Sequence, residues 1–367
     1  MFRQYKLRDF RLRLVVFVYA ISILSVFVVG SAAEEYQSQQ IMGILMGSVV
    51  MVFFALLDYR MLINFSWLLY IINLVLLTAV IPFGVKVNGA RRWLKIGFFR
   101  FQPSELTKLA LIIFFAYFFV KYKEKLNSFK VIVISLVLLG IPLLLLKQQP
   151  HLSAMLTICF IFCVLIFSAG LSYKIIGGII AVAVPTALIG INLILREGQN
   201  ILEGYQLKRV MAWLEPSKYA DDAYQQINSM IAIGSGQLYG KGLYNTDISS
   251  VKNGNFIVEP QTDFIFAVTG EELGFIGCAT VIILLALITL ECLWIGKNAR
   301  DEEGMIICCG FGGLIAFQTF ANVCVTTGLM PNTGVPLPFV SYGLTSLIML
   351  YMGIGIVLNI GLQPKKY

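Results

Sequence analysis

The sequence predicts an all-α integral membrane protein with about ten transmembrane helices and a large outer loop between spans 7 and 8. Three observations predict it. The 367 residues are 58% hydrophobic and only 13% charged. Soluble domains run at roughly 45–50% and 25%, so a water-facing surface cannot be covered here. Apolar runs close to the roughly 20 residues that cross a bilayer follow one another along the chain. One long connection, 196–263, interrupts them. The same composition excludes intrinsic disorder.

The runs lie at about 14–30, 39–57, 62–82, 104–120, 131–146, 152–169, 175–195, 264–290, 305–327 and 341–361. Irregular backbone cannot face lipid, so each is read as a helix, and residues 1–367 as one polytopic domain. Arg3, Lys6, Arg8, Arg11 and Arg13 precede the first run, which ends near Gly30-Ser31-Ala32-Ala33. Signal peptides share that pattern; we read the run as a retained helix, which leaves both termini on one side. With the N-terminus in the cytoplasm, the inside segments hold fifteen of the 28 basic residues, among them Arg60, Lys121, Lys123, Lys297, Lys365 and Lys366. This is the positive-inside bias. It accounts for most of the net charge of +8 without a nucleic-acid partner. The seven cysteines all fall in apolar stretches, with no CxxC spacing. They are read as small hydrophobes.

Two outside segments stand against the bias. The 83–103 loop carries Lys86, Arg91, Arg92, Lys95 and Arg100 and no acid. Such a loop invites either an anionic ligand, such as a phosphate or pyrophosphate, or lipid headgroups. The 196–263 loop mixes both charge signs with Tyr205, Trp213, Tyr219, Tyr224 and Ile231. That content predicts order, as short helices on the bilayer face.

Ionisable groups within spans are functional candidates by default. Glu105 and Lys108 sit three apart at the start of the fourth span, on one helical face. They form either a packing ion pair or a lysine set for a phosphate or a catalytic carboxylate. Asp263 lies where the long loop becomes the eighth span, as a helix cap or as a general base at the membrane face. Glu271 and Glu272 are adjacent and point about 100° apart. Three prolines in 328–340 preclude a regular helix there. A loop folded back at membrane depth would form a wall of the site. His151 is the single histidine, which rules out a Ser-His-Asp triad and a multi-histidine metal site.

These blocks together resemble one family. Asn88-Gly89-Ala90-Arg91-Arg92-Trp93 and Phe101-Gln102-Pro103-Ser104-Glu105-Leu106-Thr107-Lys108 are similar to the outer loop and fourth helix of the SEDS family (shape, elongation, division and sporulation), to which FtsW and RodA belong. The stretch from Asn228 through Gly234-Ser235-Gly236-Gln237-Leu238-Tyr239-Gly240-Lys241-Gly242 resembles its large-loop signature. Glu259-Pro260-Gln261-Thr262-Asp263, with Gly270-Glu271-Glu272-Leu273-Gly274, resembles its most diagnostic block. Thr327-Gly328-Leu329-Met330-Pro331 and Gly334 through Ser341-Tyr342-Gly343 match the last. Two positions depart from the pattern. His151 stands where the family often has Asp, and Leu344-Thr345-Ser346 where Gly-Ser-Ser is common.

The resemblance implies a peptidoglycan glycosyltransferase of the bacterial cytoplasmic membrane, acting on lipid II at the outer leaflet. It implies a class B penicillin-binding protein as partner, with other elongation or division proteins. Asp263 becomes the catalytic carboxylate, and Arg91, Arg92, Lys95, Glu105, Lys108, Lys241, Glu271 and Ser341 become substrate-binding candidates. A divalent cation (Mg or Mn) is a candidate helper with unassigned ligands, and no organic cofactor is expected. A lipid II transporter and a non-catalytic scaffold are the competing readings.

Overall fold

The computed structural model describes residues 10–87, 90–97, 99–178, 181, 185, 204–245 and 256–363. The described helices are α1 (Leu12–Ala32), α2 (Glu34–Leu56), α3 (Tyr59–Asn64), α4 (Ser66–Phe83), α5 (Pro103–Lys121), α6 (Phe129–Gln148), α7 (Leu152–Ser168), α8 (Gly204–Leu214), α9 (Ala220–Ser235), α10 (Ile265–Lys297), α11 (Glu302–Thr326) and α12 (Leu344–Gly361). Eight of these, α1, α2, α4, α5, α6, α10, α11 and α12, are long and apolar enough to cross a membrane. The apolar α7 is shorter, at 17 residues. The expected seventh span lies mostly outside the described residues; 173–178 are helical.

Helix boundaries follow local chemistry. The carboxylate of Asp58 accepts from Arg60 N and starts α3, Ser128 accepts from Val131 N and starts α6, and Asp301 accepts from Gly304 N and starts α11. Each satisfies one of the donors that a helix start leaves open. Pro103 opens α5, where its missing N–H costs nothing. The third predicted span, 62–82, is two helices, because the backbone breaks at Phe65.

The core gathers on α5, whose Phe114, Phe115 and Phe119 are fully buried. Tyr70 of α4 stacks on Phe114 at 4.4 Å, and Phe162 of α7 meets Phe115 edge-on at 5.0 Å. α11 and α12 are also buried over most of their length, whereas α1, α2, α4 and α6 turn Val16, Val49, Ile71 and Leu144 outward. Outer helices therefore bury one apolar face in protein and offer a second to lipid, and amphipathic periodicity is absent.

The two ends of the bundle differ. At one, Asp301 accepts from Arg60 Nη2 at 2.8 Å and Tyr59 Oη at 2.7 Å, Lys123 pairs with Glu302, and Asn127 accepts from Ser172 N at 2.8 Å. These are the loops that the charge bias assigns to one side. The opposite end holds residues 85–87, 90–97, 99–101, 149–151, 256–263 and 328–343. There the basic stretch, read from sequence as a loop, is an antiparallel meander of β1 (Val85–Val87), β2 (Ala90–Ile96) and β3 (Phe99–Phe101), in the order β1-β2-β3.

Candidate functional site

Asp263 ends the 256–263 segment, just before α10. Phe264 holds the N-cap position of α10 and no side chain caps the helix, so the Asp263 carboxylate is not a cap. Its main-chain carbonyl accepts from Asn322 Nδ2 of α11 at 2.8 Å. The same amide donates to Val335 O at 2.8 Å. Asn322 thus ties Asp263 to the 328–343 loop. That loop walls the carboxylate: a Cβ on Gly334 would lie 3.1 Å from Asp263 Oδ2 and 3.7 Å from Arg209 Nη1. Arg209, on α8, donates to Asn332 O at 3.0 Å. Helix α8, the 332–335 turn and the Asp263 segment therefore converge at one point.

Burial raises the Asp263 carboxyl above its ordinary pKa. The Arg209 and Arg92 guanidinium groups pull it back, and Glu259 pushes it further up. A carboxylate raised toward neutrality takes a proton more readily than an exposed one.

Arg92 reaches this point from β2. Its Nε donates to Gln149 O at 3.3 Å and its Nη2 to Pro150 O. It is half-buried, whereas Arg91 is exposed and bonds Ile81 O at 3.4 Å. Of the basic stretch, Arg92 is the cation within electrostatic reach of Asp263. Arg91 and Lys95 lie on the exposed sheet. His151 is buried beside Arg92 and Lys108, and burial followed by those two charges drives its pKa well down. The imidazole is neutral, and its Nδ1 is buried without a hydrogen-bond partner among the described residues.

Glu105 and Lys108 form a buried pair, with Lys108 Nζ 2.8 Å from each carboxylate oxygen. The same turn is tied to α4, as Thr107 Oγ1 donates to Asn73 Oδ1 at 2.8 Å. The pair thus holds α5 at the site end, beside His151 rather than against Asp263.

Helix α10 breaks at Gly274, with φ 64° and ψ −162°. The turn 236–242 packs backbone to backbone against the break. Phe275 N donates to Gln237 O at 2.8 Å, Lys241 N to Glu271 O at 2.9 Å and Gly242 N to Glu272 O at 2.9 Å. A Cβ at Gly240 would lie 2.1 Å from Glu272 O, so only glycine fits. Lys241 Nζ pairs with Glu271 Oε1 at 2.8 Å. Glu272, which could have faced solvent, instead accepts from Ser31 Oγ of α1 at 2.6 Å and is buried. Ser341 Oγ donates to Thr262 O at 2.7 Å and accepts from Leu337 N at 2.7 Å. Lys241, Glu271 and Ser341 thus brace the elements around Asp263.

Among the described residues no group of three His, Cys, Asp or Glu side chains gathers to hold a metal. The charges acting on Asp263 are the Arg209 and Arg92 guanidinium groups and the Glu259 carboxylate. Arg209, Asn322 and Gly334 escaped the sequence reading. Arg209 is one cation among several on the long loop, and nothing in its spacing ties it to Asp263. Gly334 lies inside a recognised block, but its role depends on which side chain it faces.

The family model of the FtsW, RodA and SpoVE cell cycle proteins matches residues 8–366. The chain is 37% identical over 350 residues to the peptidoglycan glycosyltransferase MrdB of Escherichia coli K12, covering 94% of this chain and 92% of that one. It is 33% identical over 332 residues to a probable peptidoglycan glycosyltransferase FtsW of Geobacter sulfurreducens, covering 88% and 84%. Its structure superposes on a chain of a peptidoglycan synthase complex, solved for the coordination of polymerization and crosslinking, with a TM-score of 0.79, 28% identity and coverage of 96% and 97%. On the rod shape determining protein RodA of Thermus thermophilus the TM-score is 0.69 at 27% identity, covering 96% of each chain. This polytopic membrane protein belongs to the FtsW/RodA/SpoVE family of cell cycle proteins.

Proposed function

We propose that this chain is a peptidoglycan glycosyltransferase that extends glycan strands from lipid II, with Asp263 as general base. The observation that carries the reading is the Asp263 carboxylate. It is half-buried, raised in pKa, and flanked by Arg209 and Arg92 at one face of the bundle. In the reaction a sugar hydroxyl attacks the anomeric carbon of the donor. The hydroxyl proton passes to Asp263, the new C–O bond forms, and the bond from the anomeric carbon to the pyrophosphate oxygen breaks. The departing polyprenyl pyrophosphate takes the electron pair, and Arg92 and Arg209 stabilise that charge. One direct displacement inverts the anomeric centre.

The membrane setting fits a lipid-tailed donor, whose reacting end lies at the interface while its chain stays in hydrocarbon. The site faces the outside of the bacterial cytoplasmic membrane, and both termini face the cytoplasm. A class B penicillin-binding protein would supply crosslinking beside it.

Purified chain in vesicles, given fluorescent lipid II on one side only, tests the reading. Accumulation of glycan polymer is expected. Lipid II crossing the bilayer with no polymer would instead make this chain a transporter. Neither product, in a preparation that still binds a penicillin-binding protein, would make it a scaffold.

A further inference from the structure

The β-meander carries a charge arrangement that the Asp263 site leaves unexplained. Lys86 lies directly opposite Arg91 in the β1–β2 pair, and Lys95 directly opposite Arg100 in the β2–β3 pair. Side chains directly opposite on antiparallel strands sit roughly 5 Å apart at Cβ, and like charges there oppose pairing. All four are exposed. No acid occurs from 83 to 103, and no ion pair among the described residues involves any of the four. Arg92 alone turns inward. A sheet of three short strands that places cation against cation calls for an anion from outside the chain.

The surroundings state what kind of anion. β1 follows α4 directly, and Arg91 Nη1 is bonded to Ile81 O in the last turn of that helix. Down the exposed side of α4 run Leu68, Ile71, Val75 and Pro82 at helical spacing, and Phe83 ends the helix 78% exposed. An apolar track that faces lipid thus ends at Lys86 and Arg91. A soluble phosphate would use only the cations. A molecule with an acyl chain and an anionic head matches the track and the cations together. Arg100 differs slightly from the others, because Glu35 and Glu259 act on the same Tyr36 that it does. The Lys86–Arg91 pair is therefore the centre of the patch.

We propose that the β-meander is a headgroup site for anionic phospholipid, with acyl chains lying along the outer face of α4. The site is separate from the one that holds the reacting sugar. It anchors the strand that carries Arg92, because the lipid phosphate neutralises the repulsion on that strand.

Native mass spectrometry of the full chain released from detergent, with phosphatidylglycerol or phosphatidylcholine added, tests this. Each charge at a lipid surface changes binding by roughly fivefold, so K86Q/R91Q should weaken phosphatidylglycerol retention by roughly twenty-five-fold. Phosphatidylcholine retention should not change, and K86R/R91K should hold phosphatidylglycerol as the parent does. Thermal unfolding confirms that each variant is folded. Equal phosphatidylglycerol retention by parent and K86Q/R91Q would overturn the proposal. So would displacement by inorganic pyrophosphate that is equally effective against short-chain and long-chain phosphatidylglycerol, which would make the ligand a soluble phosphate.

Discussion

The carboxylate of Asp263 rests against the backbone of Gly334, so close that a Cβ there would stand 3.1 Å from Oδ2. Gly334 also has φ +69°, a conformation that costs other residues roughly 1–2 kcal/mol. Both facts predict that Gly334→Ala shifts the carboxylate without touching its chemistry. A displacement of this kind costs on the order of a hundredfold in rate. We expect kcat for lipid II polymerisation to fall by about that factor, with KM little changed. A variant with parental kcat would remove Gly334 from the site.

With Asp263 as the proposed base, burial and the two guanidinium groups act in opposite directions on the acid limb of the rate profile. Asp263 acts when ionised, and Arg209 and Arg92 favour the ionised form. Removing either cation raises the carboxyl pKa further. In Arg209→Gln the rate should therefore rise with pH through a midpoint displaced upward from the parent's. Rate–pH curves for the two proteins check it, and a midpoint that stays put or moves down contradicts the assignment.

The same raised pKa has a stability consequence. A carboxyl whose folded pKa exceeds its unfolded value binds more protons when folded, so stability falls as pH rises between the two. Asp263→Asn carries no such loss. Its thermal midpoint should match the parent's in acid, below both values, and exceed it once pH has passed the folded pKa. Equal midpoints throughout would mean that Asp263 is not held at a cost.

Asn322 donates to two main-chain carbonyls, those of Asp263 and Val335. Asn322→Leu takes the donor from both, one carbonyl buried and the other part-buried, at a combined cost on the order of 1–3 kcal/mol. Denaturation should show a loss in that range with a parallel fall in kcat. A stable, fully active variant would show that the loop needs no such tie.

For the Glu105–Lys108 pair, removing one partner strands a buried charge. Lys108→Met should cost about 3–5 kcal/mol, and E105Q/K108M less than half as much. Unfolding midpoints of both variants decide it, and additive losses would argue against a mutually neutralised pair.

Hydropathy made the membrane helices legible because a spanning helix must be apolar on nearly every side. The block around Asp263 was legible through its resemblance to the family's most diagnostic block, whereas the residues alone left a helix cap and a base both open. The meander was not. β2 reads Ala90-Arg91-Arg92-Trp93-Leu94-Lys95-Ile96, with no alternation of apolar and polar residues to mark a strand. The break at Gly274 was hidden because a lone glycine inside a helical stretch is not by itself a break, and only the turn 236–242 packed against it explains the position. Arg209 lies 54 positions before Asp263 and meets it through an outer helix whose docking depends on the 328–343 loop. Such pairings belong to tertiary structure, and local patterning carries no trace of them.

One comparison tests Asp263 as the general base. Parent and Asp263→Ala, each purified, shown to be folded, and supplied with lipid II with and without a divalent cation, are run side by side and their glycan products separated on a gel. A polymer ladder is expected from the parent and none from Asp263→Ala. Equal ladders from both would contradict it.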